Sequence, residues 1–373
     1  MASELTQLIQ DLVRIDSVNP ALDPRHVGEA PIADFVARWA SSRGLDVELL
    51  EGRRGRPSVV VTSRGSGGGR TLLLNAHLDT VGVEGMDAPF EPTTLDGRMF
   101  GRGVMDMKAS VAACLLATAY AGAQGLRGDV VFTAVADEEH GSIGTEEALA
   151  YLKAVGTSVD AAIVTEPTDL ELHVAHRGFA VFEVTLTGKA SHSSQPEAGV
   201  NAVTHLGRVL AAVERLDHEL RARSAHSLLA HGHLKPVLVS GGQELFTTPA
   251  KASATLERRT LPGETTAGAL QELHEVLDAL AAEDPTVTAG VGTVVAREPF
   301  EAPAESDIEH LLMAAAAAER GDAPKRLGAP YWTDAALVAT AGIPTVLFGP
   351  TGGGIHQPTE WLDVASAAAF QRV

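Results

Sequence analysis

Cysteine is nearly absent: Cys114 is the only one in 373 residues. That excludes an intramolecular disulfide framework and a cysteine-based zinc cage. Any transition metal must therefore be held by His, Asp and Glu. Cys114 itself falls in an apolar helical pattern and reads as a packing residue. Basic charge is scarce as well, with 29 Lys and Arg against 48 Asp and Glu and a net charge of -19. Phosphate backbones are bound through Lys and Arg, so the balance argues against nucleic acid as the main partner. The N-terminus is polar and amphipathic rather than a secretory signal, with Leu5, Leu8, Ile9, Leu12 and Val13 on one helical stripe. The Ala-rich stretch from Leu311 to Ala318 is too short, and too flanked by charge, to span a bilayer. A cytoplasmic enzyme without membrane association is the expectation.

What remains is the material of a folded chain. Hydrophobic residues at 45% and charged residues at 21% exclude wholesale disorder. The length is enough for more than one domain. Helices are predicted over residues 3–17 and 29–43, and strands over Leu45 to Glu51 and Ser58 to Ser63. The run from Arg64 to Arg70 is glycine-rich, but it lacks the P-loop pattern and precedes a strand, so it reads as a hairpin connection. The stretch from Thr71 to Val81 is an apolar strand ending in His77 and Asp79, two residues apart and hence on one face. A long loop from Gly82 to Gly103 leads into a helix with Asp106 at its start, where free N–H groups favour a carboxylate. Further strands over 129–136 and 161–164, with a helix between them, predict an α/β sheet that is parallel in its core. From Arg177 the order becomes βαββαβ, that of a ferredoxin-like sandwich. After it the α/β pattern resumes. The expectation is a catalytic domain of residues 1–176 and 294–373 with an inserted lid of residues 177–293.

Five candidate metal ligands occupy equivalent places: His77, Asp106, Glu139, Glu166 and His356. Four follow the C-terminal end of a predicted strand, and ligands of open α/β sheets bind in the crevice outside those ends. Two imidazoles and three carboxylates suit zinc, cobalt or manganese, and the carboxylates largely offset two divalent ions. The simplest arrangement gives each ion one His and one Glu, with Asp106 bridging, and leaves coordination open for water and substrate. Glu138 and Glu139 are neighbours that project differently, so Glu139 is the expected ligand and Glu138 the general base. A water between two ions has a lowered pKa, and Glu138 can take its proton and pass it to a leaving amine. Asp79 is expected to hydrogen-bond the His77 ring and fix its tautomer.

In order and across nearly the whole chain, these residues match a known family. The motifs are Asn75-Ala-His77-Leu-Asp79-Thr80-Val81, Gly101-Arg-Gly-Val-Met-Asp106-Met-Lys108, Asp137-Glu138-Glu139 and Thr165-Glu166-Pro167. Then come Gly188-Lys-Ala-Ser-His192-Ser, Arg259-Thr-Leu-Pro-Gly-Glu264 and the glycine run ending at His356. The chain resembles the co-catalytic zinc hydrolases that include acetylornithine deacetylase, succinyl-diaminopimelate desuccinylase, aminoacylase-1 and the glutamate carboxypeptidases. The resemblance implies a zinc-binding domain and an inserted lid that forms a homodimer. It assigns His77 and Glu166 to one ion, Glu139 and His356 to the other, and Asp106 to both. It further implies that His192 donates to the oxyanion of a tetrahedral intermediate. Arg259 is expected to grip a substrate carboxylate, together with the backbone of Gly352, Gly353 and Gly354.

Two departures stand out. Phe246 occupies a place where the family commonly has Asn, which suggests a more apolar pocket. Lys108-Ala109-Ser110 stands where Gly-Gly is usual after the aspartate. Trp332 reads either as a pocket wall or as a packing aromatic. The expected reaction is hydrolysis of the amide of an N-acyl amino acid, acetylornithine-like. A dipeptidase or carboxypeptidase on the same site is the alternative. A catalytically silent homologue that binds small molecules is a third reading, and the presence of both Glu138 and His192 argues against it.

Overall fold

The computed structural model describes residues 3–223 and 225–373. The chain divides into two compact units, one of Met1–Val174, Ala302–Leu327 and Thr333–Val373, the other of Ala175–Glu301 and Gly328–Trp332.

The larger unit is built on a mixed sheet. From one edge its strands run Asp46–Leu50, Ser58–Ser63, Val130–Val135, Leu72–His77, Ala161–Val164, Thr345–Leu347 and Leu172–His176. The four strands from Val130–Val135 to Thr345–Leu347 are mutually parallel. Ser58–Ser63 and Val130–Val135 are buried along their whole length, as their β-branched runs demand when both faces are covered. The helix Ala109–Gln124 packs on Ser58–Ser63, Leu72–His77 and Val130–Val135 and against Glu4–Val13 and Val364–Arg372. Gly125, at φ 61, ends it in the left-handed conformation that stops helices. By length and composition the run Val104–Gln124 could cross a membrane, but most of it is buried inside the unit, as a core helix is. The stripe Leu5, Leu8, Ile9, Leu12 and Val13 is buried, and Ser3 caps its helix by accepting from Thr6 N–H.

Two local expectations change. Arg64 to Arg70 is not a hairpin: Ser58–Ser63 and Leu72–His77 lie on opposite sides of Val130–Val135. The run instead crosses the end of that middle strand, where Ser66 and Gly67 donate to the carbonyls of Leu126 and Arg127. A Cβ on Gly128 would lie 1.8 Å from the Arg70 carbonyl oxygen, so this close approach needs glycine. The loop from Gly82 to Gly103 holds the short strands Thr93–Leu95 and Arg98–Phe100, which join Trp361–Asp363 and Gly352–Gly353 in a small antiparallel sheet.

The smaller unit is one antiparallel sheet with strand order His233–Gly241, Lys251–Thr260, Gly178–Thr187 and Thr288–Arg297. The helices Ala202–Ala222 and Thr266–Glu283 cover one face, and Phe182, Val184, Leu206, Val209, Leu256 and Leu273 lie in the core between. The order βαββαβ and this pairing make it ferredoxin-like. Asn201 and Thr265 cap the two helices through their side chains. Thr288–Arg297 pairs with Gly178–Thr187 from end to end. A boundary at 293/294 would therefore cut a continuous strand, and the larger unit resumes only at Ala302.

Candidate metal centre

Parallel strands open their C-terminal ends on one edge of a sheet. His77 is the last residue of Leu72–His77, Glu138 and Glu139 follow Val130–Val135, Glu166 follows Ala161–Val164, and His356 lies beyond Thr345–Leu347. His77, Glu138 and Glu166 each offer a donor atom within 4.8 Å of the others, and so do His77, Asp106 and Glu139. Asp106 lies between the imidazoles, with Oδ1 2.9 Å from His77 Nε2 and Oδ2 3.6 Å from His356 Nε2. His356 Nε2 is 3.0 Å from Glu139 Oε2. Asp106 does not begin the helix. Its backbone is non-helical at φ -119 and ψ 91, its peptide bond to Met107 is cis, and the regular helix starts at Ala109. Its carboxylate therefore faces the two histidines rather than capping helical N–H groups.

Asp79 acts differently from the expectation. His77 Nδ1 hydrogen-bonds the Asp79 backbone carbonyl at 2.9 Å, while the Asp79 carboxylate stands 3.6 Å away from that nitrogen. A carbonyl only accepts, so Nδ1 carries the proton and Nε2 is the nitrogen turned to the cluster. The Asp79 carboxylate instead accepts from the backbone N–H groups of Glu138 and Glu139 and from Asn19 Nδ2. It thus sets the turn that carries those two glutamates. Asn19 also donates to Asp137, which in turn accepts from Arg56, and Arg56 makes two bonds to Glu29. All five residues are buried. Asn19, Glu29 and Arg56 belong to no motif in the sequence. The only local signal is Asn19 before a proline, because the partners lie far apart along the chain.

The electrostatics follow from crowding acids away from water. Burial, then the charge of Glu166, raises Glu138 well above the usual carboxylate range. Burial also raises Glu166 well above that range and, together with the charge of Asp106, raises Glu139. Burial opposes charge on His77, but the hydrogen bond and charge of Asp106 outweigh it and hold that imidazole well above its ordinary value. Contacts with Asp106 and Glu139 lift His356 to about 10. Asp334 lies within electrostatic reach, adds to the repulsion on Glu138 and Glu166, and is itself raised to about 6 by burial. Two imidazole nitrogens set among crowded carboxylates form a donor set that divalent charge relieves. Their chemistry fits zinc, cobalt or manganese.

The other expected residues divide between the units. Gly352 and Gly353 pair with Leu362 and Trp361, so part of their backbone is taken by the small sheet rather than free for a ligand. A Cβ on Gly352 would lie 2.2 Å from the Trp361 carbonyl oxygen, and one on Gly354 1.8 Å from that of Thr359. Backbone packing alone therefore accounts for these glycines. In the smaller unit, His192 Nδ1 accepts from Ser194 N–H at 3.2 Å and lies 2.7 Å from Ser194 Oγ. Because Nδ1 accepts, the neutral ring carries its proton on Nε2, the tautomer a donor requires. Arg259 donates through Nε to Glu257 and lies 5.7 Å from the Phe179 ring, which leaves the end of its guanidinium without a carboxylate partner among the described residues. Phe246 is exposed at φ 64 and accepts from Ser193 N–H, beside His192. Trp332 packs edge-on to Phe179 and His176 and donates to the Glu298 carbonyl.

A model of peptidase family M20/M25/M40 matches residues 73–373. The chain is similar to acetylornithine deacetylase of Proteus mirabilis, 28% identical over 371 residues that cover 96% of this chain and 92% of that one. It is 30% identical over 381 residues to succinyl-diaminopimelate desuccinylase of Cereibacter sphaeroides, covering 98% and 96%. Among solved structures, a tripeptidase from Staphylococcus aureus has a TM-score of 0.79 at 20% identity, covering 100% of this chain and 96% of that one. The last likeness concerns the fold alone. Members of the matched family typically bind a dinuclear metal centre.

Proposed function

Because the chain belongs to peptidase family M20/M25/M40 and is a metallohydrolase of that family, we propose that it cleaves the amide of an N-acyl amino acid, acetylornithine-like, at a dinuclear zinc site. The observation that carries this reading is the convergence of His77, Asp106, Glu138, Glu139, Glu166 and His356 at the strand ends. Both curated relatives named above are deacylases by name, which favours an acyl group over an amino acid on the cleaved side.

In this proposal His77 and Glu166 hold one ion, Glu139 and His356 the other, and Asp106 serves both. The pair of ions, when bound, polarises the substrate carbonyl and makes water acidic. Glu138 has a raised pKa and sits beside Glu166 and His77, so it is suited to take a proton from water and deliver it to the departing amine. The Asp79 carboxylate holds the Glu138 and Glu139 amides and so keeps both side chains aimed. His192, protonated on Nε2, is assigned to the oxyanion, and Arg259 to the substrate carboxylate. Dimerisation through the smaller unit belongs to the same proposal. Its support is a sheet whose two edge strands leave Val237, Leu238, Val239, Val294 and Val295 exposed.

The test is a substrate panel run with zinc and with cobalt, comparing N-acetyl and N-succinyl amino acids with dipeptides. Turnover of the acyl amino acids is expected to exceed that of dipeptides. A preference for dipeptides would overturn the substrate reading. Tight binding without hydrolysis of any member would overturn the assignment of Glu138.

A further inference from the structure

We propose that Glu360 is the positioning residue for Asp106 and through it ties the two halves of the metal centre together; this rests on the reading of Asp106 as a shared ligand. Glu360 is 1% exposed. One carboxylate oxygen accepts from the backbone N–H groups of Met105 at 2.9 Å and Asp106 at 3.1 Å. The other accepts from Gly103 N–H at 2.9 Å and from the Arg102 guanidinium at 2.7 Å. Three N–H groups of one short segment thus end on a single side chain.

That segment cannot satisfy them itself. Gly103 is left-handed at φ 77, and Asp106 and Met107 leave the helical region, so no regular helical ladder is available to these groups. A buried N–H group without a partner is destabilising, because it has left water and gained no acceptor. Anchoring Asp106 at its own nitrogen fixes the Cα that carries the carboxylate set between His77 and His356. Arg102 is held from the same side, since it also donates to the Gln357 carbonyl.

Glu360 also follows His356 by four residues. Gly101 N–H donates to the Glu360 carbonyl, and Trp361 pairs with Phe100. The turn that carries His356 therefore leads directly into the group that orients Asp106. A displacement of one is transmitted to the other through the hydrogen bonds of residues 101–106.

The experiment uses the full chain with Glu360→Gln and Glu360→Asp, and with Asp106→Asn as reference. Glu360→Gln keeps the volume, but its NH2 group must face either the Met105 and Asp106 N–H groups or Gly103 N–H and Arg102, donor against donor. Glu360→Asp keeps the charge and shortens the reach. The readouts are zinc content after equilibration in a zinc buffer, the rise in Tm on adding zinc to chelator-treated protein, and kcat and KM. Loss of a group that orients a ligand typically lowers metal affinity about 10- to 100-fold. We expect Glu360→Gln to lose about that much affinity for one of two ions, with a reduced zinc-induced rise in Tm and a fall in kcat larger than any change in KM. Glu360→Asp is expected to recover part of each. A merely structural role lowers the Tm of the metal-free protein and leaves the zinc-induced rise intact, and that result in either variant overturns the proposal. If Asp106→Asn also keeps two tight zinc ions, the ligand reading itself has failed. If Asp106→Asn loses zinc while both Glu360 variants retain it, only the Glu360 inference falls.

Discussion

Removing the Arg56 side chain tests the buried scaffold behind Glu138 and Glu139. Arg56 is 5% exposed and lies between Glu29, at 0%, and Asp137, at 1%. It bonds the first at 2.5 and 2.6 Å and the second at 2.7 Å. In Arg56→Met two buried carboxylates face each other without their cation. Breaking a buried pair from one side costs about 3–5 kcal/mol. Replacing Glu29 as well removes one of the two carboxylates left without the cation, so Glu29→Met/Arg56→Met is expected to be more stable than the single variant. Recovery is incomplete, because the Asp137 carboxylate stays buried without Arg56 and Asp137 N–H loses the Glu29 oxygen it donates to at 3.1 Å. The penalty depends on pH. Burial already raises Glu29 against the pull of Arg56. Without Arg56 its folded pKa rises further above the unfolded value, so the native state binds the extra proton and stability falls as pH rises through that range. The deficit should be larger at pH 8 than at pH 5. Native-state hydrogen exchange reads each of the two units separately, so it is the assay. Peptides spanning Val130–Val135 should exchange roughly 10²- to 10⁴-fold faster in Arg56→Met, the equivalent of 3–5 kcal/mol. Gly178–Thr187, in the other unit, serves as the internal reference. Protection within about threefold of the parent at pH 8, or equal loss in single and double variants, would falsify the argument.

Other outcomes follow from single residues. Glu138→Ala should retain two metal ions by elemental analysis while kcat falls by roughly 10²–10⁴; a retained kcat removes Glu138 as the base. His356→Ala should lower zinc stoichiometry after dialysis, and full occupancy by two ions would remove His356 from the site. Burial pushes the Cys114 thiol up to about 12, so it should resist a disulfide reagent at pH 8 until urea is added. Rapid labelling of the folded chain would contradict its burial.

The sheet was legible where patterns were long. Ser58–Ser63, Val130–Val135 and the antiparallel unit, with its alternating Gly178–Thr187, follow from β-branched runs and period-two burial. Thr93–Leu95, wholly exposed, and Gly352–Gly353 carry no such pattern and became strands only through distant partners. The same holds at the metal centre. His77, Glu139, Glu166 and His356 announce themselves because strand ends are visible in the sequence. For Asp79, two-residue spacing places it near the His77 ring without saying that its carboxylate turns to the Glu138 and Glu139 amides. Glu29, Arg56 and Glu360 were invisible, because their meaning lies in contacts across 27 to 258 positions.

The interruption of the larger unit by the smaller one has a consequence for how the protein is made. Thr345–Leu347 fills the slot between Ala161–Val164 and Leu172–His176. His356 follows Glu166 by 190 positions. At ribosomal speeds of about 5–20 residues per second, roughly 10 to 40 s separate the appearance of these two residues. During that interval His77, Asp106, Glu139 and Glu166 are present while one strand of the sheet and the second imidazole are not. The four strands and two helices of the smaller unit, all made by Arg297, can pack meanwhile around their own core, with Gly328–Trp332 added later. The full set of candidate ligands is thereby assembled only at the last stage of synthesis, and a nascent chain stalled before residue 345 holds a sheet with an open slot.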